Sequence, residues 1–285
     1  MEPTPLYITL FGLGTMVALL VLLRVGQRVV EPATSVAKNL AHGNTAARLM
    51  QVGQVLATFL VGVSAVKAGA LGMDVQHDLA TVAGYSVAAL ALVLVTGNLG
   101  LRLLLQAKLP AEIARGNVAA GLAAGAHYVA MGIITSRAVA GQSLRELGLS
   151  LAFFAIATVT LHVFITLFRA LTTYDDSEQI HGENLAAALS YGGVSIAVAI
   201  LVGRALEGDF TGWLDSLRGY GTVLAFLFAL YPVRQILVQS VLLGAPLTFR
   251  GGRLDAGIGA ERDAGIGALE AVTYLATALA IAELL

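Results

Sequence analysis

A few polar side chains stand inside apolar stretches where nothing in the local sequence solvates them. Glu270 interrupts GIGALEAVTYLA, His127 lies in AGAHYVAMG, His162 in TVTLHVFIT, Asn98 in VTGNLG and Tyr191 in ALSYGGVSI. Gln51 and Gln54 share a turn of RLMQVGQVL. An ionisable group is costly in hydrocarbon, so a carboxylate or imidazole kept there is a candidate for proton or cation handling. The plainer alternative is structural. An intramembrane His or Asn serves as an interhelical hydrogen-bond partner worth about 1 kcal/mol. Glu270 is the strongest candidate, and its two readings are a pair with a buried Arg or His, or a proton or cation site.

Other chemistries lack their residues. The chain has no cysteine, which removes disulfides, thiolate metal sites and Cys nucleophiles. Histidines 42, 77, 127, 162 and 181 show no i, i+4 ligand spacing, and no HExxH, GxSxG or phosphate-loop motif is present. GLGTM at 12–16 and AGIGAERDAG at 256–265 are Gly-rich but follow no strand pattern. The expectation is therefore no catalytic residue, no metal, no cofactor and no enzyme. A net charge of −1 gives no nucleic-acid footprint.

The elements that must position these groups are membrane spans. The composition is 57% hydrophobic and only 12% charged, about half the charge of a soluble domain. Mean hydropathy is +0.81. Charges collect between apolar runs of about 20 residues, the length that crosses a bilayer. Eight spans are predicted: Leu6–Leu23, Ala46–Val66, Leu79–Leu101, Val118–Ser136, Leu147–Phe168, Leu185–Gly203, Gly212–Val233 and Ala264–Ala282. The third and seventh patterns run on into the interface through LRLLLQAK and VRQILVQS. No Lys or Arg precedes Arg24, so the first run reads as a retained span rather than a cleaved signal. Twelve of the 17 Lys and Arg residues, Lys38, Arg169 and Arg234 among them, follow odd spans. That bias places the odd loops in the cytoplasm and both termini outside.

A short word recurs at the start of the even spans. GNTAARL at 43–49 returns as GNVAAGL at 116–122 and ENLAAAL at 183–189, with an echo in DAGIGAL from Asp263. Asn44, Asn117, Asn184 and Asp263 are read as helix caps, whose side-chain oxygens accept from orphan backbone N–H groups. DAGIG also occurs at Asp255, leaving Asp255 as a second possible start for the last span. The small residues after each cap let helices approach closely. A binding role for four convergent helix N-termini is the sharper reading of the same residues. Seven residues after the caps stand Gln51, Ala124, Tyr191 and Glu270; ten after stand Gln54, His127, Val194 and Thr273. Twenty after, at the far interface, stand Ser64, Arg137, Arg204 and Glu283, the two arginines reading as snorkelling anchors. The fold class expected is an all-α integral membrane bundle of eight spans. Four helical-hairpin repeats form two pseudo-symmetric halves, 1–142 and 143–285.

The segment YDDSEQIHGENLAAALSYGGVSIAVAI at 174–200 resembles the YjfL-like family of small bacterial inner-membrane proteins. That family, domain of unknown function three hundred and fifty, has four-span units with a Tyr-Asp-rich loop leading into Gly-Asn-x-Ala-Ala. The resemblance implies two such units in tandem and a bacterial inner-membrane location. It also implies a link to envelope stress, since members often sit beside membrane-stress and polyamine-ligase-like genes. Glu183 departs from the motif Gly, and Asp263 from the motif Asn.

Two functions are expected. One is conduction of protons, small ions or a small polar solute along Glu270, His127, Gln51, Gln54 and Tyr191, with His162 and Asn98 on the odd spans. The alternative is a non-conducting scaffold or partner subunit in the envelope-stress response; a lipid-acting enzyme ranks a distant third. The expected partners are the lipid bilayer, a second copy of the chain and a soluble cytoplasmic protein.

Overall fold

The computed structural model describes residues 4–30, 43–72, 74–139, 144–208, 210 and 212–285. Lys38, His42 and the expected boundary between 142 and 143 lie outside them. All regular structure among the described residues is helical. Eight helices are long and apolar enough to cross a bilayer. They are α1 Pro5–Val30, α2 Thr45–Gly69, α3 Val75–Leu105, α5 Val118–Ala138, α6 Leu144–Ala170 and α8 Leu185–Ala205, then a composite seventh span and α13 Ala264–Leu284. Short helices α4 Leu109–Ala114, α7 Asp176–His181 and α12 Arg253–Gly259 each precede a capped helix.

The composite span joins α9 Trp213–Ala225, α10 Leu227–Arg234 and α11 Gln235–Leu242, the last a π-helix. Pro232 lies inside α10. It offers no N–H to the preceding turn, and widened turns follow. The helix continues nine residues past Val233, through the run-on VRQILVQS expected from the sequence. Arg234 sits within the span and not in a loop at its end.

The inner helices are ordered by two devices. The first is the cap. Asn44, Asn117 and Asn184 each accept through Oδ1 from the N–H three residues on, at 3.0, 3.1 and 3.2 Å. Each also donates its Nδ2 forward in the chain. Asn44 donates to the Ile113 carbonyl of α4 at 2.8 Å, Asn117 to Ile180 of α7 at 2.9 Å, and Asn184 to Ile258 of α12 at 2.7 Å. One side chain thus closes its own helix and ties it to the carbonyl end of the next short helix, where the Ile113 and Ile180 carbonyls also accept the N–H groups of Gly116 and Glu183. Asp263 accepts from Gly265 and Ile266 N–H at 2.8 and 3.2 Å. Here a carboxylate stands in place of the amide. Asp263, not Asp255, is the cap of the last span.

The residue before each cap is left-handed: Gly43 at φ +78°, Gly116 at +97°, Glu183 at +64° and Arg262 at +57°. This is what the glycine of Gly-Asn is for, since it adopts that region without steric cost. Arg115 bonds Glu112 and Asn117 donates to it at 3.0 Å; the Arg115 hydrogen bond first, then that of Asn117, holds the Glu112 carboxyl below its usual range.

The second device is close backbone contact. A Cβ on Gly132 of α5 would stand 2.6 Å from Cα and Cβ of Ala57 on α2; one on Gly267 of α13 would stand 2.5 Å from the Ala186 carbonyl oxygen of α8. Gly121 and Gly125 meet the α2 backbone in the same way, and Gly193 meets Ala271. The principal contacts run α2 to α5, α5 to α8 and α8 to α13. The four capped helices therefore form a row, not a ring of four converging N-termini. The other spans form a second layer over one face of it, α1 and α3 over α2, α6 over α5 and α8, α9 on α8 and α10 on α13. The opposite face of the row is bare, with Val52, Leu56, Phe59, Leu60 and Val63 of α2 and Leu269, Val272 and Leu279 of α13 exposed. α13 is thus an inner helix on one side only.

Two outcomes follow for unfolding of the detergent-solubilised protein. Gly132→Ala should destabilise by about 1–3 kcal/mol through forced separation of α2 and α5. Asn184→Asp keeps the cap but leaves the Ile258 carbonyl unpaired, and should cost about 1–3 kcal/mol; Asp263→Asn should shift stability by less than about 0.5 kcal/mol.

Candidate functional site

Polar groups deep in the second half gather around two arginines. Arg234 of α10 is wholly buried, as are Glu270 of α13 and Asp255 of α12. Its Nε donates to Glu270 Oε1, and its Nη2 donates to Asp255 Oδ1 at 2.7 Å. Nη1 reaches Gln235 Oε1 at 3.2 Å. The guanidinium also faces the Tyr231 ring at 5.4 Å. Asp255 is further held by the backbone N–H and hydroxyl of Thr173, at 2.9 and 3.2 Å. Both carboxylate oxygens of Asp255 are satisfied, whereas Glu270 Oε2 is buried with no hydrogen-bond partner.

Arg169, at the end of α6, pairs with Asp176 of α7 and lies 4.9 Å from the centre of the Tyr191 ring. One of its terminal nitrogens, Nη1, is buried and unpartnered. Tyr174, in the loop between α6 and α7, contacts Ser190 Oγ at 3.2 Å. Burial pushes the Tyr174 hydroxyl far above the ordinary phenol range, so it remains a neutral group among these charges. From Tyr191 the contacts continue inward. Its hydroxyl meets His127 Nδ1 at 3.2 Å, and the His127 and His162 rings meet edge to face at 5.5 Å. The Nε2 atoms of both histidines are buried without partners. Gly100 of α3 provides the room: a Cβ there would stand 2.5 Å from His127 Nε2 and collide with His162 Nε2.

The polar chain therefore starts near the cap end and reaches His127, ten residues or about 15 Å along α5 from its cap. Two guanidiniums face three carboxylates, Asp176, Asp255 and Glu270, all buried. Among the described residues no group of three or more His, Asp or Glu is placed to hold a metal ion.

Of the sequence candidates, the structure brings together Glu270, Tyr191, His127 and His162. Gln54 lies in the first half, buried against Gln27 of α1 at 2.6 Å. Gln51 and Asn98 are half-buried on α2 and α3. Asn44, Asn117, Asn184 and Asp263 act as caps. Sequence reading missed Arg169, Asp176 and Asp255, which stand beside polar loops, and Arg234, which it counted with the loop after the seventh span. The signal available was the continuous apolar pattern from Trp213 to Leu242, which carries Arg234 inside a span. A second missed pair is Asp78 of α3, buried at the opposite face, accepting from Tyr7 at 2.8 Å and from Gly72 N–H at 2.7 Å.

Removing one member of the Arg234 cluster strands a buried charge. Arg234→Met should destabilise by about 3–5 kcal/mol in equilibrium unfolding. The triple variant Arg234→Met, Asp255→Asn, Glu270→Gln should recover most of that loss.

The model of the family described as Domain of Unknown Function (DUF350) matches this chain twice, over residues 2–139 and 142–285. A UPF0719 transmembrane protein of Aquifex aeolicus (strain VF5) is 29% identical over 118 residues, which cover 41% of this chain and 44% of that relative. No solved structure matches. Two matches that together span nearly the whole chain make it a member of the DUF350 family, a multi-pass membrane protein built of two family units in tandem.

Proposed function

We propose that this protein moves protons or small ions across the bilayer, and that the ion cluster of the second half is where they bind. The observation that carries this reading is the surplus carboxylate: three buried acids face two guanidiniums, and Glu270 Oε2 has no partner. A buried ion pair kept only for packing is commonly no better than apolar residues of the same size. A surplus charge is worse still unless a proton or a counter-ion neutralises it. Tyr191, His127 and His162 extend the route inward with groups able to accept and donate protons. Beyond His127, α5 buries Ala130, Met131 and Ile134 before Arg137 is reached at the far face. This apolar stretch serves as the barrier that must open for transport.

The cap face is assigned to the cytoplasm of a bacterial inner membrane, with both termini outside. Support comes from the basic residues after odd spans. Two of those twelve, Arg169 and Arg234, are buried ion-pair partners, and the bias survives their removal.

One observation favours the scaffold alternative. The backbone contact among α2, α5, α8 and α13 leaves no route between the small-residue helices themselves. The path proposed here therefore runs between the two helix layers.

Reconstituted in liposomes with an internal pH dye, the protein should carry H⁺, Na⁺ or K⁺ under an imposed gradient. Glu270→Gln should lower that flux by about a hundredfold. Flux no greater than that of protein-free liposomes, for all three ions, would rule conduction out and leave the scaffold.

A further inference from the structure

The four inner helices line an open cavity of about 910 Å³ between their far ends. Ser64, Arg137, Arg204 and Glu283, each twenty residues after its cap, all line it. Every inner helix therefore presents the same turn to one space. Lys67 and Glu207 complete the ionisable lining. Glu207 is shared between two arginines: one of its oxygens accepts from Arg137 and the other from Arg204 at 2.7 Å. Arg204 Nε also donates to the Ala282 carbonyl at 3.1 Å, which ties the guanidinium to α13. Three cations facing two carboxylates leave one positive charge at this rim.

The remaining walls are apolar. They come from Leu60 of α2, Ile133 of α5, Ile200 of α8 and Leu279 of α13. Leu56 and Phe59 carry the apolar lining on to the bare face of the inner row, where both are exposed. A cationic rim over apolar walls that open sideways fits an amphiphile and not a soluble anion.

We propose that this cavity binds an anionic phospholipid, with its phosphodiester at Lys67, Arg137 and Arg204 and its acyl chains along Ile133, Ile200 and Leu279. A phosphodiester with a single charge balances the rim, whereas a zwitterionic headgroup brings its own cation into it. The volume lies at the upper end of small-molecule sites. It holds a headgroup and the first methylenes, and the rest of the chains lie on the bare apolar face. A neighbouring cavity of about 610 Å³ shares Arg137, Arg204 and Glu207 but adds Glu146 and Asp215. Acids outnumber bases there, so the anion belongs in the first cavity. The site lies at the opposite end of the row from the Glu270 cluster and stands or falls independently of ion movement.

The test uses the full chain in nanodiscs of equal phosphatidylglycerol and phosphatidylcholine with matched acyl chains, and counts retained lipids by native mass spectrometry. Phosphatidylglycerol should be enriched about fivefold over phosphatidylcholine. Lys67→Gln with Arg137→Gln should return the ratio to that of the bulk lipid. Lys67→Gln alone, at an exposed side chain, should already lower it if the double variant fails to fold. Ile133→Trp, which fills the apolar wall and keeps the charges, should lose retention of both lipids. Inorganic phosphate and glycerol phosphate should not raise the melting temperature. Equal retention of the two lipids, a preference unchanged in Lys67→Gln, or stabilisation by inorganic phosphate equal to that by the lipid would overturn the proposal.

Discussion

A guanidinium with no access to water has to be answered by the chain itself, and Arg234 sets that demand for the second half of this molecule. It is met by a carboxylate from α13 and another from α12, and by a glutamine and a tyrosine from its own helical segment. Satisfying it fixes where α12 lies and which face α13 turns inward. It also places Thr173, and with it the α6–α7 loop, against Asp255. The arrangement over-answers the arginine by one carboxylate, and that surplus carries the functional reading.

The same constraint, that lipid leaves no polar group to solvent, shapes the rest of the fold. Each Asn cap meets two needs with one side chain, and in doing so fixes the order of the inner helices. Glycines then bring their backbones into contact, which replaces the hydrophobic drive absent between helices in lipid. At Asp263 a carboxylate takes the place of the amide and keeps the cap. The far ends are governed differently: there the inner helices line an open cavity with charged residues at its rim.

The spans were legible in the sequence because length and apolarity alone identify them. The caps were legible because Asn recurs before small residues at like spacing. The forward bond of each Asn was not, since it joins residues 63 to 74 apart. Periodicity carries no record of which distant carbonyl a side chain reaches. The open row was hidden for the same reason, as spacing equates the four helices and cannot say which have two neighbours. Glu270 was legible as a lone carboxylate and Tyr191 as its counterpart at the same distance from a cap. Arg234 was obscured because the run-on VRQILVQS reads as a helix projecting into the interface, where an arginine is solvated, and not as part of the buried span. Gln54, equivalent to His127 by spacing, falls in a different pair because the first half carries Gln27 opposite it.

The proposed ion movement rests on Glu270, on the cap side of the second half. The most direct measurement is the infrared carboxyl spectrum of the purified protein in lipid, recorded across pH and with added Na⁺ or K⁺. One buried carboxyl should change with proton or cation exchange, and that change should be absent from Glu270→Gln. A spectrum in which no buried carboxyl responds to pH or to either cation, or a response that persists in Glu270→Gln, would contradict the reading of Glu270 as the exchanging group.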